Sequence, residues 1–168
     1  MDLVREALSD SGLAPERLFL EITETVLMED PEAVGPRLAA LRELGIRIAL
    51  DDFGTGYSAL GYLQKIPVDI VKIDRAFVRD VHLGARQSAL AAAVMTLASS
   101  LDLDVIAEGI ELPEQASRLR ELGCRLAQGF LYNPALPPAE LLATWRAERK
   151  AASTHLQPKS APLLNSTI

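Results

Sequence analysis

Apolar residues along this chain follow two alternating patterns, helical spacing and short continuous runs. Between residues 32 and 44, leucines and a valine recur every three or four positions, which predicts a helix that ends at Gly45. Residues 46–50 then form an aliphatic run of strand length that stops at Asp51 and Asp52. The pattern therefore predicts a helix followed by a short buried strand.

The same alternation continues on both sides of these two elements. Apolar runs predict further strands at residues 18–22, 70–73 and 105–107, and residues 85–101 predict a long helix with one apolar stripe. The stripe consists of Leu90, Val94, Leu97 and Leu101. Because strands that are continuous apolar runs separated by helices are typical of a parallel sheet covered by helices, the predicted fold class is α/β.

A short segment occurs twice along the chain. The letters LRELG stand at residues 41–45 and again at 119–123, and each copy is followed by an arginine and an alanine at matching positions. We attribute this likeness to helix ends that converge on the same capping and helix-forming residues. It predicts two equivalent junctions between a helix and a strand.

Composition places the chain among globular proteins, with 168 residues, 49% hydrophobic and 24% charged. A formal net charge of −6 argues against a surface for DNA, RNA or an anionic membrane, although a small nucleotide remains a reasonable ligand. Cys124 is the only cysteine, which favours a reducing compartment. Since the sequence shows neither a signal-peptide pattern nor a membrane-spanning run, we expect a cytoplasmic protein. Residues 1–150 are predicted to form the domain, and residues 151–168 a disordered tail.

Charged residues stand where the predicted strands end. They are Glu21, Asp51, Asp52, Lys72, Asp74 and Glu108, with Glu24 and Glu111 three residues after two of them. A single such acid is most often a helix cap, but the carboxyl ends of strands in a parallel barrel meet on one face, where active sites are built. Carboxylates massed there need a cation, and their oxygens favour Mg²⁺, Mn²⁺ or Ca²⁺ over zinc. We therefore predict a carboxylate-bound divalent metal site.

Two features narrow the predicted chemistry. Adjacent Asp51 and Asp52 suit a pair of metal ions, a common device for hydrolysing phosphate esters. Lys72 lies inside an apolar strand, where it should contact carboxylates, a phosphate or a metal-bound water; a structural ion pair is the alternative. The glycine-containing segment at residues 52–58 matches no nucleotide-binding loop, which favours a mobile active-site or interface loop.

Five segments together resemble the bacterial EAL domain over residues 3–148. They are LEITE at 20–24, LDDFGTGYS at 50–58, KID at 72–74, AEGIE at 107–111 and QGF at 128–130. The resemblance implies a modified (β/α)8 barrel of the TIM-barrel type that hydrolyses the second messenger cyclic di-GMP to linear pGpG with Mg²⁺ or Mn²⁺. This reaction agrees with the metal site inferred from the strand ends.

The resemblance also implies roles for individual residues. Glu21, Asp51, Asp52 and Glu108 would be metal ligands, and Lys72 and Glu108 would take part in catalysis. Glu111, Gln128 and Asp74 would complete the substrate pocket. Glu24 would hold the loop that links catalysis to formation of a homodimer. Its residues are Phe53, Gly54, Thr55, Gly56, Tyr57 and Ser58.

The family's Glu-Ala-Leu strand and a second strand with an asparagine ligand lie upstream of the residue that corresponds to Glu21. Only 20 residues precede Glu21 here, and the triplet Glu6-Ala7-Leu8 lies in a helical pattern, so we expect an N-terminally truncated, partial barrel. Such a chain should hydrolyse cyclic di-GMP poorly unless an upstream domain or another chain supplies the missing strands. A catalytically inactive cyclic di-GMP-binding or dimerisation module and a non-functional gene fragment are the alternatives.

Overall fold

A computed structural model describes residues 1–54, 63 and 65–155 of the chain. The chain divides into two compact units, residues 1–132 and residues 133–168. The first unit contains the sheet and all the predicted site residues, whereas the described part of the second consists mainly of one helix, Pro138–His155. The predicted family site therefore belongs to the first unit.

Five strands form one parallel sheet in the first unit. They are β1 (Phe19–Thr23), β2 (Arg47–Phe53), β3 (Ile70–Ile73), β4 (Asp104–Ala107) and β5 (Leu126–Ala127). Each strand pairs with the next one along the chain, so that β1 and β5 are the edges of the sheet within the described residues. Strand order that equals chain order is the arrangement in the wall of a β/α barrel.

Helices precede the first strand and separate most of the later strands of the first unit. They are α1 (Asp2–Ser11), α2 (Glu24–Glu29), α3 (Pro31–Glu43), α4 (Arg75–Val78), α5 (Ala85–Ser100) and α6 (Pro113–Glu121), with 3-10 turns at Pro15–Arg17 and Val81–Leu83. The helix of the second unit is α7 (Pro138–His155). None of the helices in the described part of the chain combines the length and the apolar character that crossing a bilayer requires. The triplet Glu6-Ala7-Leu8 lies in α1, as its helical pattern predicts.

The centre of the core is β3, whose four residues are all buried. Its apolar side chains pack with those of β2 and with residues of the covering helices. The largest side chains that are completely buried include Leu27, Ile46, Ile48, Leu50, Ile70, Ile73, Ile110 and Leu119. This burial on both faces explains why the strands are continuous apolar runs in the sequence.

The two copies of LRELG form equivalent junctions, as predicted. Gly45 and Gly123 both have positive φ, +90° and +95°, where glycine avoids the strain of a Cβ atom. After each glycine, the backbone N–H of the next residue donates to a helix carbonyl five residues earlier, from Ile46 to Leu41 and from Cys124 to Leu119. Each junction turns the chain from a helix into a strand.

Strand β2 is longer than the apolar run indicates. It continues through Asp51 and Asp52 to Phe53, because its backbone stays paired with β1 at Asp51 and with β3 at Phe53. The register shifts between Leu50 and Phe53, and Asp52 has a φ of +55°. The prediction that the strand ends at residue 50 is therefore wrong by three residues.

The apolar stripe predicted for α5 is also partly wrong. Its buried residues are Ser88, Ala91, Val94 and Ala98, whereas the Leu90 side chain is 51% exposed. Leu97 and Leu101 only pack against the edge of the core. Small side chains on the buried face let the helix backbone approach its neighbours closely, and side-chain hydropathy alone does not reveal this.

The end of the predicted domain lies within α7. This helix runs through residue 150 to His155, so residues 151–155 are helical where a disordered tail is predicted. Alanines and charged residues of high helix propensity fill residues 146–152, which favours a helix that continues past residue 150. The remainder of the predicted tail lies outside the described residues, and the boundary itself stays a prediction.

Candidate metal centre

The parallel register brings charged side chains from four neighbouring strands to one edge of the sheet. Glu21 lies on β1, Asp51 and Asp52 on β2, Lys72 on β3, and Glu108 directly after β4. Pairing of Thr23 with Asp51 and of Lys72 with Ile106 places these positions near the same ends of the strands. The predicted convergence of residues that are distant in sequence is therefore present.

Lys72 is the centre of the cluster. Its side chain is only 5% exposed, and its Nζ lies 2.8 Å from Glu21 Oε2, 3.0 Å from Asp51 Oδ1 and 2.7 Å from Glu108 Oε1. These contacts match the three hydrogens of the ammonium group. Carboxylates are thus the predicted partners that the structure shows, and a structural ion pair, the alternative, would make the same contacts. Three carboxylates around one ammonium leave an excess of negative charge, which favours a further cation.

Three carboxylates offer oxygen atoms close enough to share a metal ion. Asp51, Asp52 and Glu108 each present one oxygen, and these oxygens lie within 4.8 Å of one another. The donor set consists of hard carboxylate oxygens, which fits Mg²⁺, Mn²⁺ or Ca²⁺. The geometry thus accommodates the predicted divalent cation at these three residues.

The conformation of Asp52 explains how two neighbouring aspartates share one site. Successive side chains of an extended strand point to opposite faces of the sheet. The left-handed φ of +55° at Asp52 interrupts this alternation, and the Asp52 backbone N–H donates to Asp51 Oδ1 at 3.1 Å. A local irregularity within β2, before its pairing resumes at Phe53, therefore brings both carboxylates together.

The predicted ligand Glu21 is placed differently. It contacts Lys72 but does not belong to the group of three carboxylates that could share one ion, and its side chain is 51% exposed. Glu21 is thus linked to the candidate cation site through Lys72, which contacts both Glu21 and two of the three carboxylates. Its assignment as a ligand stays a prediction.

The pKa values of Lys72 and Glu108 both move upward. Burial lowers the pKa of Lys72, but its hydrogen bonds to Glu108, Glu21 and Asp51 outweigh burial and raise it above its ordinary value. Burial raises the pKa of Glu108, with repulsion from Asp51 and Glu21 added, while Lys72 only partly opposes the shift. The lysine is therefore charged at neutral pH, and Glu108 binds a proton more readily than an ordinary glutamate.

The predicted pocket residues have different surroundings. Gln128 Nε2 donates to Glu108 Oε1 at 2.6 Å, which places it beside the cluster. Glu111 instead pairs with Arg75, at 2.7 Å between Oε1 and Nη2. Asp74 Oδ1 accepts from the Ala76 N–H at 2.8 Å, so this side chain caps α4. The helix cap, the common role of an acid after a strand, thus accounts for the observed contact of Asp74.

Glu24 contacts the loop that it is predicted to hold. Its carboxylate is buried at the start of α2, and Oε2 accepts the backbone N–H of Gly54 at 3.1 Å. Phe53 is buried in the core next to this contact. The other predicted loop residues, Thr55, Gly56, Tyr57 and Ser58, lie outside the described residues.

Two residues near the site are absent from the predictions. Arg75 pairs with Glu111 as described above. Gln115 is buried; its Oε1 accepts the N–H groups of Glu111 and Leu112 at 2.8 and 2.9 Å, and its Nε2 donates to the Arg79 carbonyl at 2.8 Å. A glutamine two residues after Pro113 is a helix-start signal that would have revealed it.

A cavity of about 640 Å³ lies at the opposite, amino-terminal edge of the sheet. Its lining includes two ion pairs, Arg42 with Asp69 and Arg47 with Asp104, which join β2 and α3 to the starts of β3 and β4. The Asp69 carboxylate also accepts the Ile48 N–H at 2.8 Å. These contacts fix strand positions, and none of the carboxylates at the metal centre takes part in them.

Comparison with known proteins adds to this geometry. The EAL domain family matches residues 1–135. The cyclic di-GMP phosphodiesterase NbdA of Pseudomonas aeruginosa is 45% identical over 157 residues, which is 94% of this chain but 20% of that relative. The chain thus spans about a fifth of that relative's length.

Solved structures show the same likeness. The PaMucR phosphodiesterase in complex with cyclic di-GMP is 40% identical, with a TM-score of 0.78 over 83% of this chain and 57% of that one. A manganese and cyclic di-GMP complex of Klebsiella pneumoniae BlrP1 is 37% identical, with a TM-score of 0.72 over 77% of this chain and 33% of that one.

Proposed function

Because the chain belongs to the EAL domain family, we propose that it carries the metal-binding part of a phosphodiesterase site that hydrolyses cyclic di-GMP to linear pGpG. Mg²⁺ or Mn²⁺ is the proposed metal, and bacterial second-messenger signalling is the proposed setting. The names of similar proteins support the substrate, since NbdA is a cyclic di-GMP phosphodiesterase and the PaMucR structure contains cyclic di-GMP.

One observation carries the proposal, namely the cluster around Lys72. Three carboxylates that could share an ion, Asp51, Asp52 and Glu108, lie at one edge of a parallel sheet, and two of them also contact the lysine. A merely structural ion pair would not need an excess of carboxylates, which repel one another unless a cation joins them. A divalent cation that also binds a phosphodiester would offset the repulsion among the carboxylates. Their excess negative charge would in turn hold the cation.

The proposed mechanism assigns a task to each residue. Asp51, Asp52 and Glu108 would hold the divalent cation, which when bound polarises the phosphate and lowers the pKa of a water. Lys72 would orient the attacking water by donating one N–H to it in place of one of its three carboxylate contacts. Glu108 would accept a proton from the water as it attacks phosphorus and the bond to the 3′ oxygen breaks, and the leaving 3′ oxygen would take up a proton from solvent. Gln128 donates to Glu108 and keeps its carboxylate oriented.

We propose that the 168-residue chain, when tested alone, binds cyclic di-GMP and divalent cation but turns the nucleotide over slowly. The resemblance places two further ligands on strands upstream of Glu21, and loss of metal-site groups usually reduces affinity and activity strongly. Formation of a homodimer through the loop that starts at Phe53 is a further part of the proposal, supported by the contact between Glu24 and Gly54.

Calorimetry and product analysis on the purified chain test this proposal. We expect Mn²⁺-dependent binding of cyclic di-GMP, with pGpG formed slowly, and loss of Mn²⁺ binding in Asp51→Asn. Glu121→Gln is the matched control, because it removes one carboxylate that pairs with Arg118 on the surface of α6. Absence of both Mn²⁺ and nucleotide binding by the folded wild-type chain would contradict the proposal, and binding without any turnover would favour the inactive binding module.

A further inference from the structure

The turn that follows β4 carries both Glu108 and Glu111. Arg75 is the first residue of α4, shortly after β3, and its side chain lies against this turn. We propose that Arg75 is a positioning residue, which holds this turn so that the Glu108 carboxylate stays beside Lys72, Asp51 and Asp52. The inference rests on the proposed metal site and adds to it a residue that would touch neither metal nor substrate.

The first observation is the ion pair between Arg75 and Glu111. Arg75 Nη2 lies 2.7 Å from Glu111 Oε1, while the two side chains are 57% and 41% exposed. An ion pair this exposed contributes little to folding stability. Its effect is instead geometric, because it joins the first residue of α4 to the turn after β4.

The second observation is the close approach of Arg75 to Gly109. Gly109 has a φ of +65°, and a Cβ atom at this position would lie 2.6 Å from Arg75 Cγ and 2.8 Å from Arg75 Cβ. The aliphatic part of Arg75 therefore lies directly on the backbone of the residue that follows Glu108. Only glycine leaves the space for this contact.

The third observation is that other contacts already hold the two ends of the turn. At one end, the Glu108 N–H donates to the Ile73 carbonyl at 3.1 Å. At the other end, Gln115 accepts the N–H groups of Glu111 and Leu112. Arg75 contacts the backbone and side chain between these ends, and it stands three residues after Lys72. It thus links the strand that carries the lysine to the turn that carries Glu108.

Mn²⁺ affinity of the full chain, measured by calorimetry, tests the role of Arg75. Arg75→Met keeps the aliphatic part over Gly109 and removes the ion pair; we expect affinity to fall about tenfold, within the range seen when groups behind metal ligands are removed. Arg79→Met is the matched control, because Arg79 is a 69% exposed arginine at the end of the same helix, and its guanidinium pairs with the neighbouring Asp80. We expect the affinity of this control to equal that of the wild type.

Charge exchange separates positioning from a general loss of structure. Arg75→Glu alone should weaken Mn²⁺ binding at least as much as Arg75→Met, and adding Glu111→Arg should restore affinity to within about threefold of the wild type, because the ion pair forms again in reverse. Unchanged affinity in Arg75→Met, or an exchanged pair that binds no better than Arg75→Glu alone, overturns the proposal.

A readout without metal distinguishes this inference from the proposed function. Hydrogen exchange at the Glu108 and Glu111 amides, followed by NMR, should be faster in Arg75→Met than in the wild type. If the folded wild-type chain does not bind Mn²⁺, the proposed function fails, and the exchange rates then decide alone whether Arg75 holds the turn: faster exchange supports this role, and unchanged exchange overturns it.

Discussion

Lys72 shows how one residue can organise a site that consists mostly of like charges. A lysine in a fully buried strand would be unfavourable in isolation, because burial penalises the charged ammonium group. Here three carboxylates contact it, and together they raise its pKa above the ordinary value despite burial. A folded-state pKa above that of the unfolded chain stabilises the fold below the ordinary pKa, and this contribution is lost only as pH rises through the strongly alkaline range. The cluster is therefore intact at neutral pH.

Glu108 leads to a prediction about how stability and Mn²⁺ affinity depend on pH below neutrality. Its pKa is raised above the ordinary 4.5, so the folded chain binds this proton more tightly than the unfolded chain does. Its contribution to the free energy of unfolding is thus fully present below pH 4.5 and is lost as pH rises through the folded-state pKa. Mn²⁺ affinity should change in the opposite direction and weaken as the pH falls through that same value.

Calorimetry with Mn²⁺ from about pH 8 down to about pH 4 measures this dependence. The variant Glu108→Gln should bind Mn²⁺ more weakly and with a shallower dependence on pH, because the titrating carboxyl is gone. Glu121→Gln is again the control and should follow the wild type. A wild-type affinity that stays constant down to pH 4.5 would contradict the role given to Glu108, because a pKa above 4.5 leaves this carboxyl mostly protonated there.

At the scale of elements, sequence patterns predict strands better than the faces of helices. Strand β3 is predicted at its observed bounds, because its apolar residues are buried on both sides and charged residues follow it. The face of α5 is not, since close packing selects Ser88 and Ala91 over the more hydrophobic Leu90. Hydropathy records the transfer of a side chain from water, but it does not record how closely two backbones approach.

For the candidate site, the sequence predicts the residue types that meet but not the backbone geometry that brings them together. Charged residues after apolar runs are sufficient to predict that Lys72 meets carboxylates, because the ends of parallel strands converge. The left-handed turn at Asp52 and the contact of Arg75 with Gly109 depend on backbone angles and on register, which hydropathy patterns do not encode. The sequence therefore indicates which chemistry is present, and the fold decides which carboxylates share one ion.

The contact between α2 and the end of β2 leads to a prediction at this scale. Glu24→Ala removes the buried acceptor of the Gly54 N–H, so we expect a loss of about 1 to 3 kcal/mol in the free energy of unfolding and weaker binding of cyclic di-GMP. Urea denaturation and calorimetry measure the two effects. Glu29→Ala, at the exposed end of the same helix, should change neither. Equal stability of the two variants would show that Glu24 does not anchor the loop.

The first unit has an open parallel sheet with β1 and β5 at its edges, within the described residues. An unpaired strand edge offers N–H and C=O groups to other chains, and a closed barrel would remove both edges. Apolar side chains are exposed at this border, among them Leu126 on β5, at 45%. The 168-residue chain tested alone should therefore self-associate through its edges.

Sedimentation velocity over a range of protein concentrations tests this expectation. Leu126→Lys places a charge at the β5 edge, and we expect it to shift the chain toward monomer, since charged residues on edge strands oppose pairing. Leu83→Lys adds the same charge at a 63% exposed leucine outside the strands and should leave the association unchanged. Identical behaviour of both variants would mean that the edges do not drive association.

The location of the three carboxylates on β2 and after β4 has a thermodynamic consequence. An unfolded chain cannot present donors from such distant positions at one point, so the cation binds mainly to the native state and binding is linked to folding. At a concentration one hundred times its dissociation constant, the ion would stabilise the native state by about 2.7 kcal/mol. Cellular supply of divalent cation would then influence how long this protein persists, as well as what it does.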